Sequence, residues 1–197
     1  MLVFWVSAAM SVLLAAGAAS PPDRPERAVI EARLRADTLP RSAADWLALG
    51  TRIDEVLIAI AGDPKADLRL RAQAVRALGV VSTRPGRAFL ESVVKQKASA
   101  KDAGDKLLLR KAALALGWIG GAAVPAQLGP LLEHPDPEVR LDVAIGLGLT
   151  RSEEAADFLR KRFADETVPK VRNQIGRQLR LIEDAVAEAK RPEPAAQ

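Results

Sequence analysis

Hydrophobic positions recur along this chain at helical spacing, and the stripes they form recur in turn. The run Leu70-Arg71-Ala72-Gln73-Ala74-Val75-Arg76-Ala77-Leu78-Gly79 returns at 109–117 and at 139–148, and a degenerate copy follows at 171–180. Aligned on a Leu-Gly pair, the copies fall at Leu49-Gly50, Leu78-Gly79, Leu116-Gly117, Leu147-Gly148 and Leu179-Arg180. The intervals are 29, 38, 31 and 32 residues. Short helical units repeating at about thirty to forty residues predict a solenoid, in which each unit buries its apolar face against its neighbours.

Each unit reads as a helix pair. In the clearest copy Asp136 is placed to cap the first turn, and Pro137 occupies the position where a missing N–H costs nothing. Asp63-Pro64 is expected to open an earlier unit in the same way. Val139, Val143, Ala144 and Leu147 share one face of the first helix, and Gly79, Gly117 and Gly148 are expected to end their helices in left-handed caps. The second helices carry their own stripes: Phe89, Leu90, Val93 and Val94; Val124, Leu128, Leu131 and Leu132; Ala155, Phe158, Leu159 and Phe163. The polar insert 95–105 predicts an extended loop. A short charged helix over 26–35, with Ala28, Val29, Ala32 and Leu34 apolar, is expected to cap the stack. A long helix over 171–190, with Ile175, Leu179, Ile182 and Val186 inward, is expected to close it. No alternating β-type run of useful length appears, so the fold class is all-α: a right-handed α-solenoid of about four to five helix pairs.

The opening Asp-Pro-x-Val-Arg, the Ala-rich helix ending in Leu-Gly and the second helix with spaced Leu resemble the HEAT-like repeats named from the phycobilisome bilin lyases (PBS-lyase type). Residues 136–148 carry the pattern closely, and the resemblance extends over about 40–190. It implies a HEAT-like solenoid. It leaves function open, because such repeats serve lyases, hydroxylases and plain scaffolds. The diiron hydroxylases of similar architecture bind metal through His-Glu dipeptides, and this chain has none.

Four segments follow: 1–20, 21–39 (linker and capping helix), 40–190 (repeat domain) and 191–197 (a tail expected to be disordered). Residues 2–19 are apolar or small and end in Ala18-Ala19-Ser20 ahead of Pro21-Pro22. They read as a signal peptide, with an uncleaved membrane anchor as the alternative. The expected location is therefore periplasmic or secreted, in a bacterium.

Composition narrows the chemistry. The chain of 197 residues contains no Cys and a single His, which removes disulfides, thiolate metal sites and a Cys nucleophile. His134 lies between two units and reads as a loop residue. No metal site, cofactor or small-molecule substrate is expected, and the chain is read as non-enzymatic. Net charge is +4, but it is banded. From 69 to 111 there are eleven Lys/Arg against three Asp/Glu, from 133 to 157 two against seven, and from 158 to 180 seven against two. Arg71, Arg110, Arg140 and Arg172 recur in register, with Asp105, Asp136 and Asp165 near helix starts, and are read as intramolecular partners across neighbouring units. With Asp63, Gly79, Gly117, Asp136, Pro137 and Gly148 they make up the structural repeat positions. Trp46 and Trp118 are read as packing residues.

The expected function is an exported scaffold for a protein partner. Its concave face is assigned to outward positions of the second helices: Arg87, Glu91, Lys95, Gln127, Glu154, Asp157 and Lys161. Two other readings stand beside it: a bilin-lyase-like enzyme or lyase accessory, and a nucleic-acid binder acting through the basic band 69–111.

Overall fold

A computed structural model describes residues 22–36 and 38–189. The expected leader and the expected tail lie outside these residues. Among the described residues there are ten α-helices, one 3-10 turn and no strand. They are α1 (Arg27–Arg35), α2 (Ala43–Leu47), α3 (Ile53–Gly62), α4 (Leu68–Val81), α5 (Arg84–Lys97), α6 (Ala103–Ile119), α7 (Val124–Leu128) running into a 3-10 turn (Gly129–Glu133), α8 (Pro137–Thr150), α9 (Glu153–Asp165) and α10 (Pro169–Ala189). The first helices α4, α6, α8 and α10 pack successively against one another in one layer. The second helices α3, α5, α7 and α9 form the layer beneath, and α1 and α2 cover the N-terminal end. The architecture is an α-solenoid. α1 presents Ile30 and Leu34 to the core and leaves Val29 exposed. α10 presents Val171, Gln174, Ile175, Gln178 and Ile182. One continuous core, largely Ala, Leu and Val, runs through the stack.

The Leu-Gly glycines do not end helices. α4, α6 and α8 each run two residues past them. The left-handed caps are Ser82 (φ 55°) after α4 and Arg151 (φ 51°) after α8, while Gly120 (φ 69°) follows α6. The glycines are there because the first helices nearly touch. A Cβ on Gly117 would lie 2.2 Å from the Gly146 carbonyl oxygen of α8, and one on Gly79 would lie 2.8 Å from the Ala115 Cβ of α6. Gly148 faces the Gln178 side chain of α10 in the same way.

Two other expectations change. Asp63 does not open α4; it follows α3 and accepts from the Lys65 amide and the Arg27 guanidinium. Asp67 caps α4, accepting from the Leu70 amide at 3.2 Å. The insert 95–105 is mostly helical, since α5 runs through Lys97 and α6 starts at Ala103 behind an Asp102 cap. Asp136 and Pro137 open α8 as the sequence suggests, with Asp136 accepting from the Glu138 amide at 2.9 Å.

The recurring arginines tie units together, though not through the aspartates expected. Arg110 donates from Nε to Asp142 at 2.8 Å, one helix on, while Asp136 takes Lys106 and Asp105 takes Lys97. Arg71 donates to the Ala61 carbonyl at 3.1 Å. Arg172 lies over the Phe163 ring, 4.8 Å from its centroid. Arg140 is buried: Nε and Nη2 donate to the two oxygens of Glu166 at 2.8 and 2.9 Å, and Nη1 donates to the carbonyls of His134 and Pro135. Glu166 also accepts from Arg162 and from the Val168 amide, and is fully enclosed. The Arg140 guanidinium above all holds its carboxyl down to about 2, from an ordinary 4.5.

Two predictions follow from this packing. Gly117→Ala should destabilise the chain by about 2–3 kcal/mol, the usual scale of forced overpacking. Gly62→Ala, whose methyl meets only Phe89 at 3.7 Å, should change stability by less than about 0.5 kcal/mol in urea unfolding. Because the Glu166 carboxyl is depressed in the fold, its contribution is complete above pH 4.5 and is lost as pH falls towards 2. That contribution is about 3 kcal/mol. Glu166→Ala should cost about 3–5 kcal/mol at pH 7, by leaving Arg140 buried without its partner. The variant should also lack this part of the acid-induced loss when unfolding is followed from pH 7 to 2.5.

Candidate functional site

The seven second-helix residues singled out above are not all brought together. Arg87 on α5 is half-buried and donates from Nη2 to the Gly120 carbonyl at 2.7 Å, so its guanidinium is committed to the turn after α6. Glu91, one helical turn on, lies 4.0 Å from Arg87 Nη1. Glu91, Lys95 and Gln127 line one shallow groove of about 500 Å³ between α5 and α7, with Val94, Pro130 and Leu131. The Gln127 Oε1 is buried there without a hydrogen-bond partner. Glu154, Asp157 and Lys161 sit apart on α9, exposed, and Asp157 pairs with Arg160 at 2.9 Å. These residues thus divide between two places of mixed charge.

A larger groove, of about 800 Å³, lies in the first-helix layer. α4 contributes Arg69, Ala72, Gln73, Arg76, Ala77 and Val80, and α6 contributes Leu107, Lys111, Leu114, Ala115 and Trp118. Both sets step along their helix by three or four residues, which places each on a single outward stripe. The floor is made of Ala72, Ala77, Gly79 and Ala115, where α4 and α6 approach to glycine–alanine contact. Small side chains at the contact make the depression, and the larger side chains above it make the walls. The segment Leu39-Pro40-Arg41 and the buried Trp46 close one side, and Leu149 of α8 reaches the other. Among the described residues the Trp46 indole N–H has no acceptor.

Two properties distinguish this groove. Trp118 is 66% exposed, more than any other large apolar side chain among the described residues, and Leu149 is partly exposed beside it. Among the described residues the groove lining holds Arg41, Arg69, Arg76 and Lys111 and no carboxylate. Among the described residues none of these four cations forms an ion pair or a side-chain hydrogen bond. The basic band 69–111 is therefore sorted by the fold. Arg71, Arg87, Lys97, Lys106 and Arg110 are bound internally, whereas Arg69, Arg76 and Lys111 are left at the groove.

The sequence reading missed this groove. The available signal was the i, i+4, i+7 stripe Leu107, Lys111, Leu114 and Trp118, whose apolar members look like core until the packing shows that face to be uncovered. The reading of Trp46 as a packing residue matches its full burial, and Trp118 does not fit it.

His134 lies in the loop between the 3-10 turn and α8, and is buried there. Its Nδ1 accepts from the Asp136 amide at 3.0 Å and its Nε2 lies 3.2 Å from the Ala100 carbonyl, so the hydrogen sits on Nε2. Both ring nitrogens are occupied in joining two loops. Among the described residues no group of three or more His, Cys, Asp or Glu is placed to hold a metal ion, and no helix is long and apolar enough to cross a membrane.

Residues 96–180 match the family of HEAT repeats. The matched segment spans α6 to α9 and the first half of α10, so one wall of the groove belongs to it, and α4 lies outside it. No curated protein matches the chain.

If the groove cations are free of structural duty, replacing them should leave the helical stack intact. Arg76→Glu with Lys111→Glu should shift unfolding free energy by less than about 1 kcal/mol, the range of surface substitutions taken twice. Arg110→Glu, which would set a carboxylate against Asp142, should cost at least about twice that in the same urea titration.

Proposed function

We propose that this chain is a non-enzymatic scaffold that grips a protein partner, and that it works outside the cytoplasm after export. HEAT repeats commonly mediate protein interactions. The observation that carries the reading here is the first-helix groove, where an exposed tryptophan stands among unpaired cations over an apolar floor. Tryptophan and arginine are the side chains that most often dominate binding energy at protein interfaces. Export rests on the apolar segment 2–19 and the small residues that follow it.

Both faces of the stack are open to test. A photo-crosslinking amino acid at Gln73 in the groove, or at Lys95 on the second helices, is expressed in the native cell. An adduct with a protein at Gln73, together with a mature N-terminus near Ala18–Ser20 by intact mass, is the expected result. If the second helices carry the partner instead, adducts form at Lys95 and Arg87→Glu with Lys95→Glu weakens capture. A coloured or small-molecule adduct with no protein at either position would overturn the scaffold reading in favour of a lyase-like activity. Full-length protein in the cytoplasm would overturn export.

A further inference from the structure

We infer that the first-helix groove takes an acidic amphipathic helix from a partner protein, seated with its apolar face on the floor and its carboxylates against Arg41, Arg69, Arg76 and Lys111. The inference rests on the scaffold reading above and adds the chemistry of the occupant.

Charge selects the sign. The groove at α5–α7 carries Glu91 beside Lys95, and the one between α9 and α10 sets Glu153, Asp157 and Glu183 beside Arg160. In both, opposite charges can satisfy one another. Among the described residues the first-helix groove has four cations and no acid in its lining. Cations that meet only each other and water raise a positive potential over the concavity, which draws in an anionic partner and repels a cationic one.

Shape and polarity select the class. The floor is Ala72, Ala77, Gly79 and Ala115, and the walls include Val80, Leu107, Leu114 and Trp118. Apart from the indole N–H of Trp118, these side chains offer no hydrogen bonds, so most of the buried face of the occupant must itself be apolar. A nucleic-acid backbone would set phosphates over hydrocarbon, and a bilayer is too flat to enter a channel between two helices. A third helix fits, because parallel ridges with a groove between them are the ordinary seat for helix packing.

Spacing points the same way. Arg69 and Arg76 stand seven residues apart on α4, and Lys111 and Trp118 seven apart on α6, about 10 Å in each case. A helix laid along the groove meets that interval with residues two turns apart, so one apolar stripe flanked by Glu or Asp every seventh residue satisfies both sides. Trp118 then supplies the large anchor.

The test uses the protein purified from cells expressing the full chain and a labelled 18-residue peptide. The peptide has Leu and Phe at i, i+3, i+4 and i+7 and Glu on both flanks. Binding is read by anisotropy and by the part of the tryptophan emission that Trp118→Ala removes. The comparison ligands are a twin with every Glu replaced by Gln, vesicles containing anionic phosphatidylglycerol, and a single-stranded oligonucleotide. The expected result is at least tenfold tighter binding of the Glu peptide than of the twin. It should weaken at least tenfold in Arg76→Glu with Lys111→Glu and in Trp118→Ala, all with unchanged helical circular dichroism. A peptide with Lys in place of Glu should bind the charge-reversed variant better than the native chain. Equal binding of the twin, undiminished binding by the double variant, or preference for vesicles or oligonucleotide would each overturn the inference. If the peptide fails while the Gln73 crosslinker still captures a protein through a segment without acidic residues, the occupant is wrong and the scaffold reading stands. If Gln73 and Lys95 capture no protein, the scaffold reading fails with it.

Discussion

The close approach of the first helices is the constraint on which the rest of this structure depends. Between α6 and α8 the backbones meet so nearly that Gly117 and Gly146 have no room for a methyl group, and Gly79 meets Ala115 in the same way between α4 and α6. Contact at that range fixes both the separation of neighbouring units and their register, because sliding one helix past the next would drive a side chain into backbone. The second helices pack on this spine through larger residues such as Phe89, Leu128 and Phe158. Helix-interior glycine lowers helix propensity by about 1 kcal/mol. The chain accepts that cost in α4, α6 and α8 because the tight layer requires it.

The polar side chains follow from this register. Once α6 and α8 are locked, Arg110 falls opposite Asp142 and Lys106 opposite Asp136. Arg140 is left in the interior between the loops that join the units, where Glu166 and two backbone carbonyls take four of its five N–H donors. His134 joins the loop at Ala100 to the start of α8. These bonds satisfy loop groups that the helices cannot reach, so the same ions that look like surface charge in the sequence serve as internal connectors. The unpaired cations at the groove stand out against that background.

Much of the architecture was legible in the sequence because it depends on local periodicity. The apolar stripes of α5, α8 and α9 and the Asp136-Pro137 start were readable within one turn of helix. The role of the Leu-Gly pairs was not. A glycine near the end of a stripe looks the same whether it frees the chain to turn or lets a neighbour in, and the difference lies in a residue some thirty positions away. Asp63-Pro64 and Asp136-Pro137 are alike as dipeptides, yet one trails α3 and the other starts α8, since Asp67 offers the better cap four residues later. The groove was hidden for the same reason. Eleven basic residues in a row of forty-three give a band, and only the three-dimensional pairing shows which of them are spent on carbonyls and carboxylates.

In the proposed binding mode the groove and the core share residues, and that coupling limits where specificity can reside. Ala72, Ala77, Gly79 and Ala115 form the groove floor because two helices must touch there, so the depression is a by-product of the packing that holds the stack. A larger floor residue would fill the groove and separate the helices at once. Specificity is therefore free to vary only at the rim, among Arg41, Arg69, Arg76, Lys111 and Trp118, where side chains can change sign or size without moving a backbone. A repeat fold of this kind keeps one rigid apolar seat and tunes its partner through a handful of side chains around it. That division of labour accounts for a core built almost wholly from Ala, Leu and Val beside a rim that carries arginine, lysine and an uncovered tryptophan.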